Sequence, residues 1–176
     1  MQARASCILK DMGLKVTAAK REDIPELVTI LTKATEFKLA HDDKAWGSQP
    51  YTEKEVGLSL EAGTTYTARR DGEIVGTVML LWEDEGMWSK QPPDAGYIHR
   101  LAIKEGLHGQ GLGSQIMDWA AKEVAKKGRK YLRLDCPSTN IELCAYYETN
   151  GFTRVATKPN PMYPNYTAAY FERTAK

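Results

Sequence analysis

The sequence predicts an α/β fold of the α+β kind, with a central mixed, mostly antiparallel sheet flanked by helices. The first observation is Asp71-Gly72 between two β-prone segments, which is typical of a tight hairpin turn. The second is the return of apolar residues every three to four positions in Leu27–Phe37 and Leu112–Val124, which indicates helices. The third is the order strand, helix, strand over residues 95–135, which predicts one parallel crossover beside antiparallel hairpins.

Length and composition indicate one globular domain of ordinary size. The chain has 176 residues, of which 42% are hydrophobic and 27% charged. A chain of this length can bury a hydrophobic core without disulfide cross-links. We expect a loose leader over residues 1–12 and a single domain over residues 13–176. The formal net charge of +1 is spread along the chain, which argues against nucleic acid or an anionic membrane as a partner.

The cysteines, histidines and hydropathy favour a cytoplasmic protein that holds no metal. Three cysteines and three histidines are scattered without metal-ligand spacing, which fits a reducing compartment. No segment approaches the roughly 20 apolar residues of a membrane span, and none has the pattern of a signal peptide. The sequence is compatible with a homodimer as well as with a monomer.

The first part of the chain predicts one strand and two helices. Leu14–Ala18 is a short strand, and Asp23 begins a helix as an acidic cap ahead of Pro25 and Glu26. The apolar residues that continue this helix are Leu27, Ile30, Leu31, Ala34 and Phe37. Thr52-x-x-Glu55 is a capping box that opens a second, shorter helix, which ends near Gly63.

The middle of the chain predicts three strands. Thr64–Arg70 and Glu73–Trp82 lie on either side of the hairpin turn. A polar loop, Glu83–Pro93, follows and contains two large apolar residues. Ala95–Ile103 is the next strand, in which alternation places His99 on the same face as Tyr97 and Leu101.

The last part predicts two helices and three strands. Gly111–Lys127 is an amphipathic helix, followed by the strand Tyr131–Asp135. Thr139-x-x-Glu142 caps a further helix that ends at Asn150-Gly151. Two closing strands form an antiparallel pair, and they are Phe152–Thr157 and Tyr166–Arg173.

A glycine-rich segment, His108-Gly109-Gln110-Gly111-Leu112-Gly113, stands between a strand and a helix. Its glycines let the backbone approach a ligand, and the helix N-terminus adds the positive end of a dipole, so the segment suits a pyrophosphate. A simple chain-reversing turn is the alternative.

A dinucleotide-binding fold is a second alternative, because Asp135 ends the next strand about 20 residues on, as that fingerprint requires. The third fingerprint glycine is replaced by Ser114, however, and only one crossover is present. A P-loop is excluded because no Gly-Lys-Ser/Thr follows the glycines.

These segments resemble the GCN5-related N-acetyltransferase (GNAT) family. The family's pyrophosphate motif, Arg/Gln-x-x-Gly-x-Gly/Ala, maps onto His108-x-x-Gly111-x-Gly113, with a histidine at the first position. A second signature is similar to Asn140 followed by a helix that ends in Tyr147-Glu148-x-x-Gly151-Phe152. The opening segment around Glu22-Asp23-Ile24-Pro25 also resembles the family's first strand and helix. The resemblance covers most of the chain from residue 14 to residue 171.

The resemblance implies a GNAT fold and acetyl-CoA as the acyl donor, with no metal. Residues 95–103 would form a strand that splays from its neighbour and pairs with the pantetheine arm through its main chain, chiefly at Leu101 and Ile103. The residues expected to bind acetyl-CoA are Leu101, Ala102, Ile103, His108, Gly109, Gln110, Gly111, Leu112, Gly113, Ser114, Asn140 and Tyr147. Asn140 is equally compatible with a role as a helix cap.

Two side chains are candidates for the proton transfers of acyl transfer. The Tyr147 phenol can act as the general acid toward the CoA sulfur, while packing at a helix end and a rival role for Tyr146 remain open. His99 can act as the general base, directly or through water, because its ordinary pKa lies near 6.5. A histidine held by hydrogen bonds in the core is the other interpretation. The segment Tyr97–Ile103 resembles the arylalkylamine branch of the family.

The function predicted is therefore transfer of the acetyl group of acetyl-CoA to a small-molecule or peptide primary amine by direct attack. Four aromatic residues fall in or beside loops that would face the acceptor, namely Trp46, Tyr51, Trp82 and Trp88. These aromatic residues can form an acceptor pocket or a cation–π clamp, and the acids Glu83, Asp84 and Glu85 can attract a cationic amine. Surface-packed aromatic residues and solvated loop charges are the commoner explanation. A non-catalytic acyl-CoA-binding sensor or subunit is the alternative function.

Overall fold

The computed structural model describes residues 13–163 and 166–176, so the predicted leader, residues 1–12, lies outside the described residues. In chain order the helices and strands are β1 (Lys15–Ala18), α1 (Ile24–Ala40), α2 (Glu53–Glu61), β2 (Thr65–Arg70), β3 (Glu73–Leu81), α3 (Glu85–Trp88), β4 (Ala95–Ile103), α4 (Leu112–Lys126), β5 (Tyr131–Pro137), α5 (Ile141–Thr149), β6 (Thr153–Pro159) and β7 (Thr167–Thr174). Each strand and long helix that the sequence predicts is present.

Seven strands form one mixed sheet in the order β1-β2-β3-β4-β5-β7-β6. All neighbours are antiparallel except β4 and β5, which are parallel because α4 carries the chain back across the sheet. The β2–β3 hairpin turns at Asp71 and Gly72, whose φ angles of 53° and 86° fit the predicted tight turn. The predicted fold class is therefore confirmed.

The two central parallel strands separate soon after they meet. β4 and β5 pair only where Ala95–Tyr97 lies beside Tyr131–Arg133. Beyond these residues β4 continues with β3, and β5 continues with β7. A gap thus opens between the second half of β4 and the second half of β5, at the same end of the sheet as the start of α4 and α5.

A bulge in β4 changes the direction of its side chains. The register with β3 shifts between Thr77, opposite Ala102, and Met79, opposite His99, and Arg100 has a φ of 50°. A left-handed arginine inside a strand interrupts the alternation of faces. Leu101 therefore packs into the core cluster that contains Ile98, and the prediction that His99 and Leu101 share a face was wrong.

The helices cover both faces of the sheet. The amphipathic α4 packs Ile116, Met117, Ala120 and Val124, all essentially inaccessible, on one face. Helix α1 buries Leu27, Ile30 and Leu31 on the other face. Phe37, predicted to continue that apolar stripe, is instead exposed because α1 extends past the edge of the core. None of the helices in the described ranges is long and apolar enough to cross a membrane.

Two of the predicted helix caps differ in the structure. The Asp23 carboxylate makes no cap to α1, because it accepts hydrogen bonds from the Lys20 backbone N–H at 3.0 Å and from the Arg69 guanidinium at 2.5 Å. At α5 the cap is Asn140 rather than Thr139, since Asn140 Oδ1 accepts from the Leu143 N–H at 3.0 Å. Asn140 directly follows the predicted cap Thr139, and sequence spacing alone cannot choose between two adjacent cap residues.

Replacing Thr52 with alanine should lower the free energy of unfolding by about 1 kcal/mol. Thr52 Oγ1 accepts from the Glu55 N–H at 3.2 Å, and the Glu55 carboxylate accepts from the Thr52 N–H at 2.8 Å, so the predicted capping box is present. Urea unfolding followed by circular dichroism measures the loss. Thr29→Ala, on the exposed surface of α1, is the matched control, and equal losses in the two variants would contradict the assignment.

Candidate active site

The gap between β4 and β5 opens into a cavity of about 1420 Å³. On one side it is lined by the glycine-rich segment, the start of α4 and the inner face of α5. On the other side it is lined by α1, by the loop that follows α1, and by α3. Four residues between β6 and β7 complete this side, namely Asn160, Met162, Tyr163 and Tyr166. The cavity thus has two unlike halves, one rich in backbone N–H groups and one rich in side chains.

The glycine-rich segment has the backbone that its sequence predicts. Gly109 and Gly111 have φ angles of 78° and 71°, the left-handed region that other residues enter only with strain. Helix α4 begins directly after Gly111. A Cβ atom at Gly109 would meet no atom within 4 Å, which leaves room for a ligand against this backbone.

The backbone N–H groups of this segment donate to no described residue. Within the described ranges, no group accepts a hydrogen bond from the N–H groups of residues 109–114, and the first N–H donor with a partner is that of Gln115, to Gly111. These donors converge at a helix N-terminus, where the helix dipole adds positive potential. Such a group of free donors is what a pyrophosphate requires.

Side chains hold the segment in place from two directions. Gln110 accepts a hydrogen bond from Arg70 at the end of β2 at 2.9 Å. Ser114 donates to the Asn150 side chain at the end of α5. His108, which stands where the family motif has arginine or glutamine, is exposed and stacks near Phe37 with ring centroids 6.3 Å apart. The segment is therefore anchored to both the β2–β3 hairpin and α5.

The edge of β4 that faces the gap carries free main-chain groups. The Lys104 N–H donates to the Val75 carbonyl in β3, so strand alternation turns the main-chain groups of Ala102 toward β3. By the same alternation, the N–H and C=O groups of Leu101 and Ile103 point into the gap. Both residues line the cavity, and their side chains pack against the α4 face of the core.

Asn140 lies at the cavity as both a cap and a cross-link. Besides capping α5, its amide donates to the Asp43 carboxylate at 3.3 Å, and Asp43 forms an ion pair with Lys38 of α1 at 2.5 Å. Both ends of the amide therefore have protein partners. The expectation that Asn140 serves as a cap is confirmed, and its contact to a pantetheine arm stays a prediction.

Tyr147 lies on the inner face of α5 and lines the cavity. Its ring is half-buried between Phe152 and Phe171, with centroids 6.0 and 5.7 Å away. Burial raises the pKa of its phenol far above the usual value of 10, and the nearby Asp135 charge adds to the rise. The raised pKa keeps the Tyr147 hydroxyl protonated and able to donate near neutral pH. Tyr146 also lines the cavity but is more exposed and lies beside Gly113.

His99 lies close to two carboxylates, those of Asp84 and Asp135, in the half of the cavity that is rich in side chains. Its Nε2 lies 2.8 Å from Asp84 Oδ2, and the donor or acceptor atoms of His99, Asp84 and Asp135 all lie within 4.8 Å of one another. Since a carboxylate only accepts, Nε2 carries a proton and Nδ1 is the basic nitrogen of the neutral ring. Nδ1 has no hydrogen-bond partner among the described residues.

The charges of this cluster shift the pKa values of its members. Burial lowers the pKa of His99, but the hydrogen bond and charge of Asp84 and the charge of Asp135 outweigh burial, so the pKa stands above 6.5. Burial raises the pKa of Asp135 to about 6, the nearby His99 opposes this rise, and Asp84 adds to it. Groups inside a cavity whose pKa values are shifted by burial and by a specific charged neighbour are typical of an active site.

Asp84 and Asp135 are functional candidates that motif reasoning did not single out. Asp84 was one of three loop acids with a suggested attraction for amines, and Asp135 was noted only for the dinucleotide alternative. Asp84 caps the short helix α3 through the Met87 N–H at 3.3 Å, which turns its other oxygen toward His99. The predicted polar loop thus contains a helix whose cap faces the strand histidine.

The predicted aromatic residues divide between the cavity and the core. Trp46 and Tyr51 line the cavity, where Tyr51 lies 5.0 Å from the Arg100 guanidinium. Trp82 is elsewhere, stacked with Lys127 at 4.6 Å. Trp88 is buried against Tyr97 and Tyr170 in the core. Packing, the commoner explanation, therefore accounts for Trp82 and Trp88, because Trp82 packs on the α4–β5 turn and Trp88 fills the core.

Comparison with known proteins agrees with this architecture. A sequence model of the acetyltransferase (GNAT) family matches residues 25–152. The chain is 26% identical over 148 residues to the uncharacterized N-acetyltransferase YesJ of Bacillus subtilis (strain 168), and the alignment covers 80% of this chain and 82% of YesJ.

Solved structures show the same fold. A GNAT acetyltransferase from Listeria monocytogenes 4b F2365 superposes with a TM-score of 0.75 at 18% identity, covering 92% of this chain and 94% of the other. The aminoglycoside acetyltransferase AAC(6')-Ib, in complex with coenzyme A and kanamycin, gives a TM-score of 0.72 at 20% identity, covering 92% and 95%. The family match, the parted central strands and the free N–H donors agree, and this chain belongs to the acetyltransferase (GNAT) family.

Proposed function

We propose that the protein transfers the acetyl group of acetyl-CoA to a primary amine by direct attack of the amine on the thioester. The observation that carries the proposal is the set of backbone N–H donors at residues 109–114, which have no acceptor in the described part of the chain and lie beside the gap between β4 and β5. A tyrosine donor and a histidine–carboxylate pair line the same cavity. One cavity thus contains the groups that donor binding and both proton transfers require.

Acetyl-CoA would bind along the half of the cavity that is rich in backbone donors. Its pyrophosphate suits the N–H groups of the glycine-rich segment, where the helix dipole favours negative charge. The main-chain groups of Leu101 and Ile103 suit the amide groups of the pantetheine arm, in the manner of an added strand. The Leu101 N–H would then lie near the thioester and donate to the oxyanion that forms during attack.

The acceptor must lose a proton before it attacks, because a primary amine is mostly an ammonium ion at neutral pH. In this proposal the ammonium gives one proton to His99 Nδ1. Asp84 fixes the ring through Nε2 and stabilises the imidazolium that results. Asp84 acts through His99 and is a positioning residue.

The remaining steps form the amide and release the thiol. The amine nitrogen attacks the thioester carbon, the N–C bond forms, and the C–S bond of the tetrahedral intermediate breaks. Tyr147 donates its phenolic proton to the departing sulfur, and the second proton of the attacking nitrogen replaces it. The products are the acetylated amine, free CoA and the proton held by His99.

Acetyl-CoA should bind with micromolar affinity. Gly111→Ala should weaken this binding about tenfold, because alanine at a φ of 71° costs roughly 1–2 kcal/mol, and the backbone N–H donors turn away from the ligand when the strain relaxes. Isothermal titration calorimetry measures both dissociation constants. Gly57→Ala is the matched control, since Gly57 lies within α2 and an added Cβ would make only ordinary contacts. Wild-type protein that binds no acetyl-CoA would contradict the proposed function.

One titration and one turnover assay separate this function from its alternatives. NADH should give no heat, whereas binding of NADH in place of acetyl-CoA would favour a dinucleotide enzyme. Release of free thiol from acetyl-CoA in the presence of an amine distinguishes an enzyme from an acyl-CoA sensor, which binds but does not turn over. A cytoplasmic location and a homodimer remain predictions, tested by fractionation and by light scattering.

A further inference from the structure

We propose that Asp135 binds the ammonium group of the acceptor, and that this acceptor is an amine with a single positive charge and an apolar body. The inference rests on the acetyl-transfer function proposed above and names the class of acceptor.

Asp135 lies in β5 just beyond the point where β5 leaves β4, and it lines the cavity. Its Oδ1 is buried and accepts no hydrogen bond from any residue in the described ranges. A buried carboxylate oxygen without a donor is costly, and a ligand N–H would remove that cost. The neighbouring Asp84, in contrast, has a partner for each oxygen, the Met87 N–H and the His99 ring.

The charges around Asp135 allow one ammonium ion. Both oxygens of Asp84 already accept hydrogen bonds, from the Met87 N–H and the His99 ring, so Asp135 is the carboxylate of this cluster that has an oxygen without a donor. The other ionisable groups near Asp135 are the hydroxyls of Tyr147, Tyr166 and Tyr170 and the Cys136 thiol, all neutral at physiological pH. One ammonium group therefore satisfies the carboxylate oxygen that has no donor at this end of the cavity.

A second ammonium on the same acceptor would meet positive charge. Arg100 lines the cavity next to His99 and forms no ion pair within the described residues. Lys38 lines it as well, with its charge matched by Asp43. The other acids of the lining, Glu105 and Glu142, are exposed and lie in the loop before the glycine-rich segment and in the first turn of α5. Among the described acids of the lining, Asp84 alone lies close to Asp135, and both of its oxygens already accept hydrogen bonds, so no free carboxylate remains there for a second ammonium.

The walls beside Asp135 are apolar. Met87 and Tyr166 line the cavity from α3 and from the segment before β7, and both pack in the core cluster that contains Tyr97 and Tyr170. Met162 and Tyr163 extend this wall to the cavity mouth with exposed apolar surface. An alkyl or aromatic body would cover these surfaces, whereas a polyhydroxylated polycation would leave them against polar groups.

Phenethylamine, spermidine and kanamycin distinguish the acceptor classes, with turnover measured by thiol release from acetyl-CoA in the presence of EDTA. Phenethylamine should give the highest kcat/KM. Asp135→Asn should raise the KM for phenethylamine by about 10- to 100-fold, the effect of a lost charged hydrogen bond, and leave the acetyl-CoA dissociation constant unchanged. Asp118→Asn, an exposed acid paired with Arg173, is the control and should change neither value.

A binding measurement without the donor keeps the inference testable if the variant does not fold. Wild-type protein should bind phenethylamine and not 2-phenylethanol, which has the same body and no charge. Three results would overturn the role of Asp135 and leave the acetyl-transfer function intact. They are equal binding of the two compounds, a higher kcat/KM for spermidine or kanamycin, and an unchanged KM for phenethylamine in Asp135→Asn. Turnover that EDTA abolishes and a divalent metal restores would also overturn it, because the three side chains would then hold a cation.

Discussion

Replacing Tyr147 with phenylalanine should lower kcat by about tenfold to a thousandfold while the dissociation constant of acetyl-CoA stays similar. The phenylalanine ring keeps the contacts to Phe152 and Phe171, so the variant removes the hydroxyl and little else. Because burial raises the pKa of Tyr147, the wild-type hydroxyl stays protonated and able to donate across the whole working range of pH. Steady-state kinetics with calorimetric titration measures both quantities.

Two further tyrosine variants make this result specific. Tyr66→Phe removes the hydroxyl of a ring that packs against Trp119 outside the cavity, and this variant should leave kcat unchanged. Tyr146→Phe tests the neighbouring hydroxyl on α5, which lines the same cavity. If Tyr146→Phe loses activity and Tyr147→Phe retains it, the general acid is Tyr146, and the role proposed for Tyr147 is wrong.

Replacing His99 with alanine should lower kcat/KM by about 10²- to 10⁴-fold, the usual contribution of a general base. In the wild type, kcat/KM should rise with pH and level off above the pKa of His99, which stands above 6.5, because only the neutral ring accepts a proton. The variant should lose this dependence, and added imidazole should restore part of the rate. A pH profile of kcat/KM for both proteins measures these effects.

The variant Asp84→Asn separates a base from a histidine that only supports the structure. Asp84 raises the pKa of His99 and also that of Asp135, so its loss should move the rise of kcat/KM to lower pH. A structural histidine would give no such displacement, and imidazole would not restore the rate of His99→Ala. An unchanged pH profile in both variants would remove His99 from the mechanism.

Local chemistry accounts for the parts of the fold that sequence reasoning located well. The Thr52–Glu55 capping box and the turn at Asp71 each depend on groups within four residues, so their geometry follows from residue type and spacing. The same is true of Gly109 and Gly111, whose left-handed backbone is available to glycine at little cost. The order of helices and strands along the chain followed because hydrophobic periodicity marks the faces that must be buried.

The errors arose where two or more elements compete for one group. Asp23 has the sequence of a helix cap, yet Arg69 of β2 draws its carboxylate away. Phe37 continues the apolar face of α1 in sequence, but α1 extends beyond the edge of the core, so the Phe37 side chain is exposed. Trp88 falls in a polar loop and is nevertheless core, because α3 folds it against Tyr97.

The sequence by itself determined the family, the class of fold and the segment suited to pyrophosphate, since each depends on residues that are neighbours in the chain. Only the tertiary structure decided which side chains surround the acceptor half of the cavity. Asp84, His99 and Asp135 come from a loop and two strands, and no spacing rule relates them. The bulge at Arg100 and the separation of β4 from β5 bring them together, because pairing between strands, rather than any local preference, sets where a side chain points.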